Sequence, residues 1–380
     1  MKKAIFIAFI ITIATLILFL LSACDLKKVV NETKDSTQFN LESSNESTQD
    51  LESNNKDIQD SLSPEDAEAF EKIYNPPEGG NPENIGKIIF CSQSNETEEI
   101  ADYFLYSIDP DGSNMTRLPF FGNYMFDPEW SPEYSRIAYS AHLGNTDKIF
   151  IMAADGSENK QVTFGEGRDR FPTWSPDGKR LAYISYVDGV PNLFIIDIDG
   201  QNKKQLTFAE GEEEIKWPSY SPVEEVIAYS YFSSEEGTGG RILTIKSDGT
   251  ETVELPAPSK SSAHYDHPGW SPDGKIVYFI SNQSGHGEVY KVDYYKFIHN
   301  LTADDEDKYD DIGLVQLTNL VSLGAAATFR PRVSPDGEKI VFCGGIPEEQ
   351  KSGSNLITIN NDGTDVTNIT DFTGDACEWP

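Results

Sequence analysis

One phrase recurs along this chain and restricts its fold more than any other feature. The clearest copy runs Trp174-Ser175-Pro176-Asp177-Gly178-Lys179-Arg180-Leu181-Ala182-Tyr183-Ile184-Ser185, and a second of equal length runs from Trp270 to Ser281. Weaker copies begin at Trp130, Tyr220 and Val333, so the anchors stand 44, 46, 50 and 63 residues apart. A period of this size makes the chain a tandem array of one supersecondary unit, each copy relying on its neighbours to bury its apolar faces.

A second phrase lies between the anchors. Asp109-Pro110-Asp111-Gly112 and Asp197-Ile198-Asp199-Gly200 are the longer copies; Asp155-Gly156, Asp248-Gly249 and Asp362-Gly363 are shorter. Most lead to an aliphatic residue and a threonine, as in Val162-Thr163, Leu206-Thr207 and Ile369-Thr370. Asp-Gly between apolar runs signals a tight hairpin, because glycine supplies the positive φ. Ser-Pro-Asp-Gly suits a type I turn, with proline presetting φ at its second position. Each unit therefore reads as strand, Ser-Pro-Asp-Gly turn, strand, longer loop, strand, Asp-Gly turn, strand. Four antiparallel strands repeated radially make a propeller blade. No stretch after residue 81 shows helical periodicity.

Trp379-Pro380 is a sixth anchor with no turn after it. The strands expected at 86–92, 103–108 and 116–118 have no anchor before them. Joining the two gives one composite blade, three strands from the front and one from the back, which leaves no open edge in the ring. The fold class is all-β: a six-bladed propeller of four-stranded antiparallel blades over residues 82–380.

The pattern Pro-x-Trp-Ser-Pro-Asp-Gly-Lys-x-(Ile/Leu)-Ala-(Phe/Tyr)-x-Ser resembles the repeats of TolB-like propellers, over roughly residues 85–380. That resemblance implies a non-enzymatic protein-binding module of the cell envelope. In TolB-like proteins the channel face receives the partner protein Pal.

The front of the chain is different. Lys2 and Lys3 precede an apolar run, Ala4 to Leu21, and then Leu21-Ser22-Ala23-Cys24. This is secretory signal architecture, and its end resembles the lipobox of bacterial lipoproteins, in which the cysteine carries the lipid. Residues 1–23 are thus the expected signal peptide and Cys24 the expected lipidation site, giving an extracytoplasmic, membrane-anchored, monomeric protein on the periplasmic side or the cell surface. Residues 24–81 are polar and acidic, too poor in apolar side chains to offset ordering entropy. They read as a tether spanning roughly 40 Å, with one short helix over 64–74 started by Ser63-Pro64-Glu65-Asp66. Acidic residues outnumber basic ones, 63 to 30, for a net charge of −33, which disfavours nucleic acid as a partner.

The stretches just before each anchor read as loops at the channel mouth: Phe126-Asp127, Asp169-Arg170-Phe171, Lys216-Trp217, Asp266-His267, Phe329-Arg330 and Asp375-Ala376. Among them Asp127, Arg170, Trp217, His267 and Arg330 are the candidate binding residues, since Arg and Trp are frequent binding anchors. His264 and His267, with His286 beyond the turn, raise the alternative of a carbohydrate binder or polysaccharide-active enzyme. A manganese site of that kind is found in oligogalacturonate lyases, which are also TolB-like propellers. The other blades supply no matching histidines, so no cofactor or metal is expected. The acidic run Asp304–Asp311 has oxygen ligands for Ca²⁺ but not EF-hand spacing; it reads as a solvated loop. Cys91 and Cys377 fall on neighbouring strands of the composite blade, where a disulfide and a pair of buried thiols are both open. Gly-x-Ser-x-Gly, Gly-rich phosphate loops and CxxC pairs do not occur.

Overall fold

A computed structural model describes residues 86–93, 103–119, 123–233, 239–256, 263–300, 313–320, 326–345 and 355–370. Cys24, the expected tether and helix 64–74, the acidic run 304–311, Cys377 and Trp379 lie outside them. Six antiparallel meander sheets follow one another along the chain and form a six-bladed β-propeller. Five have four strands; the first shows three, Ile88–Gln93, Tyr103–Ile108 and Thr116–Arg117. The C-terminal strand expected to complete that blade falls outside the described residues. Blade three is representative, with Arg168–Trp174, Arg180–Val187, Val190–Asp197 and Lys204–Gln205.

Each recurring residue does one local job. In the first turn, Ser175 Oγ donates to Asp177 at 2.6 Å and accepts the Arg180 N–H at 3.0 Å, while Gly178 N–H closes on the Ser175 carbonyl at 2.9 Å. Ser271–Asp273 and Ser334–Asp336 repeat the arrangement. The fourth strands pair over only two residues, so the threonine after them takes up the next donor. Thr163, Thr207, Thr318 and Thr370 accept from Ile149, Leu193, Val289 and Leu356 N–H. The outer-turn glycine abuts the previous blade. A Cβ on Gly200 would stand 2.9 Å from the Val162 carbonyl oxygen, and one on Gly363 would collide with that of Leu317.

Six apolar clusters fill the six junctions between blades. Ile137 and Tyr139 face blade one, whereas Ala138 between them faces blade three. The second strand of each blade is thus apolar on both sides, as a strand covered on both faces must be. Each completely buried residue, such as Phe90, Ile137 or Phe342, contributes about 1.5–3 kcal/mol. The ring closes: Phe90, Ile108 and Tyr106 of blade one pack on Cys343, Leu356 and Ile369 of blade six. A Cβ on Gly112 would lie 2.7 Å from the Ile369 carbonyl, the same outer-turn contact carried across the junction.

Two expectations need correction. The loops between second and third strands are not uniformly long; in blades two and three they are two-residue hairpins, and Asp188 and Gly189 (φ 53° and 82°) form a mirror-image turn matched to strand twist. The insertion after blade five's third strand starts as a helix, Tyr294–Asn300. Asp293 caps it by accepting the Lys296 N–H at 2.8 Å, and Tyr294, Phe297 and Ile298 pack into the junction of blades four and five. Seven residues make too short a stretch for periodicity to reveal.

Candidate functional site at the channel

The first strand of each blade lines the axis, as hydrogen bonds between successive first strands show. The Trp174 indole donates to the Glu129 carbonyl at 3.2 Å, and the Trp270 indole to that of Ser219 at 2.9 Å. Three residues before each anchor the chain does something unusual. Asp127, Phe171, Trp217, His267 and Arg330 all have positive φ, between 21° and 59°. Each precedes a proline, and at each the pairing slips so that this residue and its proline oppose one aromatic of the second strand: Tyr139, Tyr183, Tyr229, Phe279 or Phe342. These are β-bulges. Proline is tolerated because the axis-facing edge has no partner strand to receive its missing N–H. Left-handed backbone at bulky residues costs roughly 1–3 kcal/mol each.

Asp127, Trp217, His267 and Arg330 were expected on loops; they sit inside strands, on these bulges. In blade three the equivalent residue is Phe171, with Arg170 one place before it. The proline two residues before each anchor was the visible signal, because a proline in a strand marks a bulge.

On the side of blades two and three, charges are matched. The Arg170 guanidinium bonds Asp127 at 2.7 Å, both nearly buried, and reaches Asp147 at 3.5 Å. Asp127 also accepts from Ser140 Oγ at 2.9 Å and Phe171 N–H at 3.3 Å. Asp147 takes Arg168 at 2.6 Å and His142 at 2.9 Å. Burial acts to raise the Asp147 carboxyl, but the His142 and Arg168 bonds and the Arg170 charge outweigh it and hold it below the usual range. Beneath, Lys148 pairs with Asp169 at 3.0 Å.

On the side of blades four to six the groups are stacked instead. The Trp217 and His267 rings lie face to face, centroids 3.6 Å apart. His267 Nδ1 bonds Asp266 at 2.8 Å, and its backbone N–H donates to Ser230 at 3.0 Å. Burial pulls the His267 pKa below its ordinary value despite Asp266, keeping the ring neutral. Arg330 reaches from blade six to place its guanidinium 4.9 Å over the Phe171 ring of blade three. Arg332 contacts Glu129 at 3.5 Å and the Pro268 carbonyl at 3.3 Å, tying blades two, five and six.

All five candidate residues therefore converge. The exposed His264 is engaged elsewhere, accepting the Gly240 N–H at 3.2 Å, and His286 is exposed. Among the described residues no three His, Cys, Asp or Glu side chains are grouped to hold a metal. Cys91 and Cys343 are buried at different junctions. A cleft of about 490 Å³ opens beside the charged side, lined by Tyr103, Tyr124, Phe126, His142, Asp147 and Arg168. Sequence reasoning missed this cleft, because its lining comes from five separate strands.

Comparison with known proteins agrees with the fold. The TolB beta propeller domain model matches residues 84–257. TolB from Acinetobacter baumannii superposes with a TM-score of 0.57 at 19% identity, over 78% of this chain and 66% of that one; the chain thus spans just under two thirds of that relative's length. A putative TolB from Agrobacterium tumefaciens gives 0.54 at 16% identity, covering 75% of this chain and 89% of that one. An oligogalacturonate lyase in complex with manganese gives 0.51 at 16% identity, covering 77% and 76%. No curated protein sequence matches significantly.

Proposed function

From the premise that this chain is a TolB-like β-propeller, we propose that it is a non-catalytic interaction module that binds a protein or peptide at the channel face formed by Asp127, Arg170, Trp217, His267 and Arg330. The observation that carries this reading is the strained layer itself. Five blades hold one channel residue each in left-handed backbone at the same repeat position, yet the side chains differ completely. Shared backbone with divergent side chains is what a rigid scaffold with a grafted site presents. The lyase-like alternative is weaker, since His264 and His267 have separate partners.

The module is extracytoplasmic and tethered through lipid on Cys24, supported by the Lys2–Cys24 signal pattern. Among the described residues no helix is long and apolar enough to cross a membrane. Cells fed a labelled fatty acid should yield labelled protein, and Cys24→Ser should carry no label.

A displayed random-peptide library panned on the folded chain tests the binding face. Enriched peptides should bind Trp217→Ala at least tenfold more weakly, a loss of about 1.4 kcal/mol. Equal binding to the variant, or no enrichment, overturns the reading.

A further inference from the structure

We infer that Arg330 anchors a carboxylate-binding subsite in the channel, taking an acidic group of a bound peptide. This deepens the channel-face proposal and rests on it. Arg330 is only 3% exposed, and its Nη2 is buried without a hydrogen-bond acceptor. The other guanidiniums at the channel have carboxylate partners: Arg168 with Asp147, Arg170 with Asp127, Arg332 with Glu129. Among the described residues the remaining acid nearby, Asp266, is bonded to His267. Among the described residues Arg330 is therefore the surplus cation of an otherwise matched set.

A buried guanidinium is a planar fork suited to receiving a carboxylate bidentately, and burial keeps water from competing. Leaving such a charge uncompensated is costly. Desolvation pulls the Arg330 pKa down to about 10, with the Asp127 charge offsetting only part; an incoming anion removes that penalty. The chain's net charge of −33 repels carboxylates generally, so a buried cation is what could admit one. Around Arg330 lie the Phe171 face and, through Phe171, the Trp217–His267 stack. An acidic peptide brings its carboxylate on an apolar stem that can lie against these rings, and a uronate is the alternative that the test separates from it.

The test uses the full chain and four probes in calorimetric titration: acetyl-Ala-Phe-Glu-Ala-amide, its Gln counterpart, acetyl-Ala-Phe-Ala-Ala with a free C-terminus, and trigalacturonate. Wild type should bind the Glu peptide or the free-acid peptide at least about tenfold more tightly than the Gln peptide; which of the two binds identifies a side-chain or terminal carboxylate. Arg330→Met should lose that preference and Arg330→Lys should keep part of it. Without ligand, Arg330→Met should melt at a higher temperature, because an apolar side chain replaces an uncompensated charge. Failure of both the Glu peptide and the free-acid peptide to bind more tightly than the Gln peptide, binding of trigalacturonate alone, or a lower melting temperature for Arg330→Met overturns the inference. If panned peptides depend on Trp217 but show no carboxylate preference, the subsite falls and the channel-face reading stands. If no panned peptide depends on Trp217, that reading falls.

Discussion

The two halves of the channel are built on the same bulged backbone and spend it differently. Around blades two and three, Asp127, Arg170, Asp147 and Arg168 form a closed set of opposite charges. Around blades four to six, Trp217 stacks on a neutral His267 and Arg330 lies over Phe171 with its Nη2 unmet. Backbone strain is equal in kind on both sides, so strain alone does not mark the ligand side. What differs is whether the side chains satisfy one another. The matched half fastens blades two and three together, and the unmatched half carries the groups on which the proposed binding rests.

The largest effect should come from breaking the fastening. Asp127→Ala leaves Arg170 buried beside half its partners and should cost about 3–5 kcal/mol in denaturant unfolding. The double variant Asp127→Leu/Arg170→Met should recover most of that loss, because an apolar pair replaces a buried ionic one. If the single variant costs under about 1 kcal/mol, the two halves do not differ as described.

A smaller effect sharpens the comparison on the other side. His267 faces Asp266, Arg330 and Arg332, and its folded pKa is lowered. The unfolded chain then binds a proton that the folded one refuses, so stability falls as pH drops below about 6.5. The loss approaches at most about 1.4 kcal/mol per pH unit and is absent above neutrality. His267→Gln should flatten that limb of a melting-temperature profile; an unchanged slope would show that His267 titrates as freely in the folded chain as in the unfolded one.

The repeat, the turns and the blade count were legible because they are local: Asp177, Gly178 and Thr207 act on atoms a few residues away or on the adjacent strand. Blade six was found from Val333-Ser334-Pro335-Asp336-Gly337 even though its anchor is not aromatic. The bulge was half legible, since the proline before each anchor was seen as pattern without its consequence for the preceding φ. Arg170 stands out in the sequence over Phe171 because arginine is a frequent binding anchor; the backbone selects the aromatic. The approach of Arg330 to Phe171 was illegible, being a contact across the axis between blades whose sequences carry no shared mark.

The junction of blade one with blade six is made by residues near 88–108 and residues near 341–369. Every other junction joins neighbours in the chain and can form as soon as the second blade is synthesised. This one waits for almost the whole domain, a loop closure whose entropy grows only slowly with length but must be met before any reward. Until then blade one presents Phe90 and Ile108 to solvent. A ring of this kind therefore has a vulnerable interval during its making, and once closed it has no terminal repeat from which to fray, because releasing any one blade requires opening two junctions together.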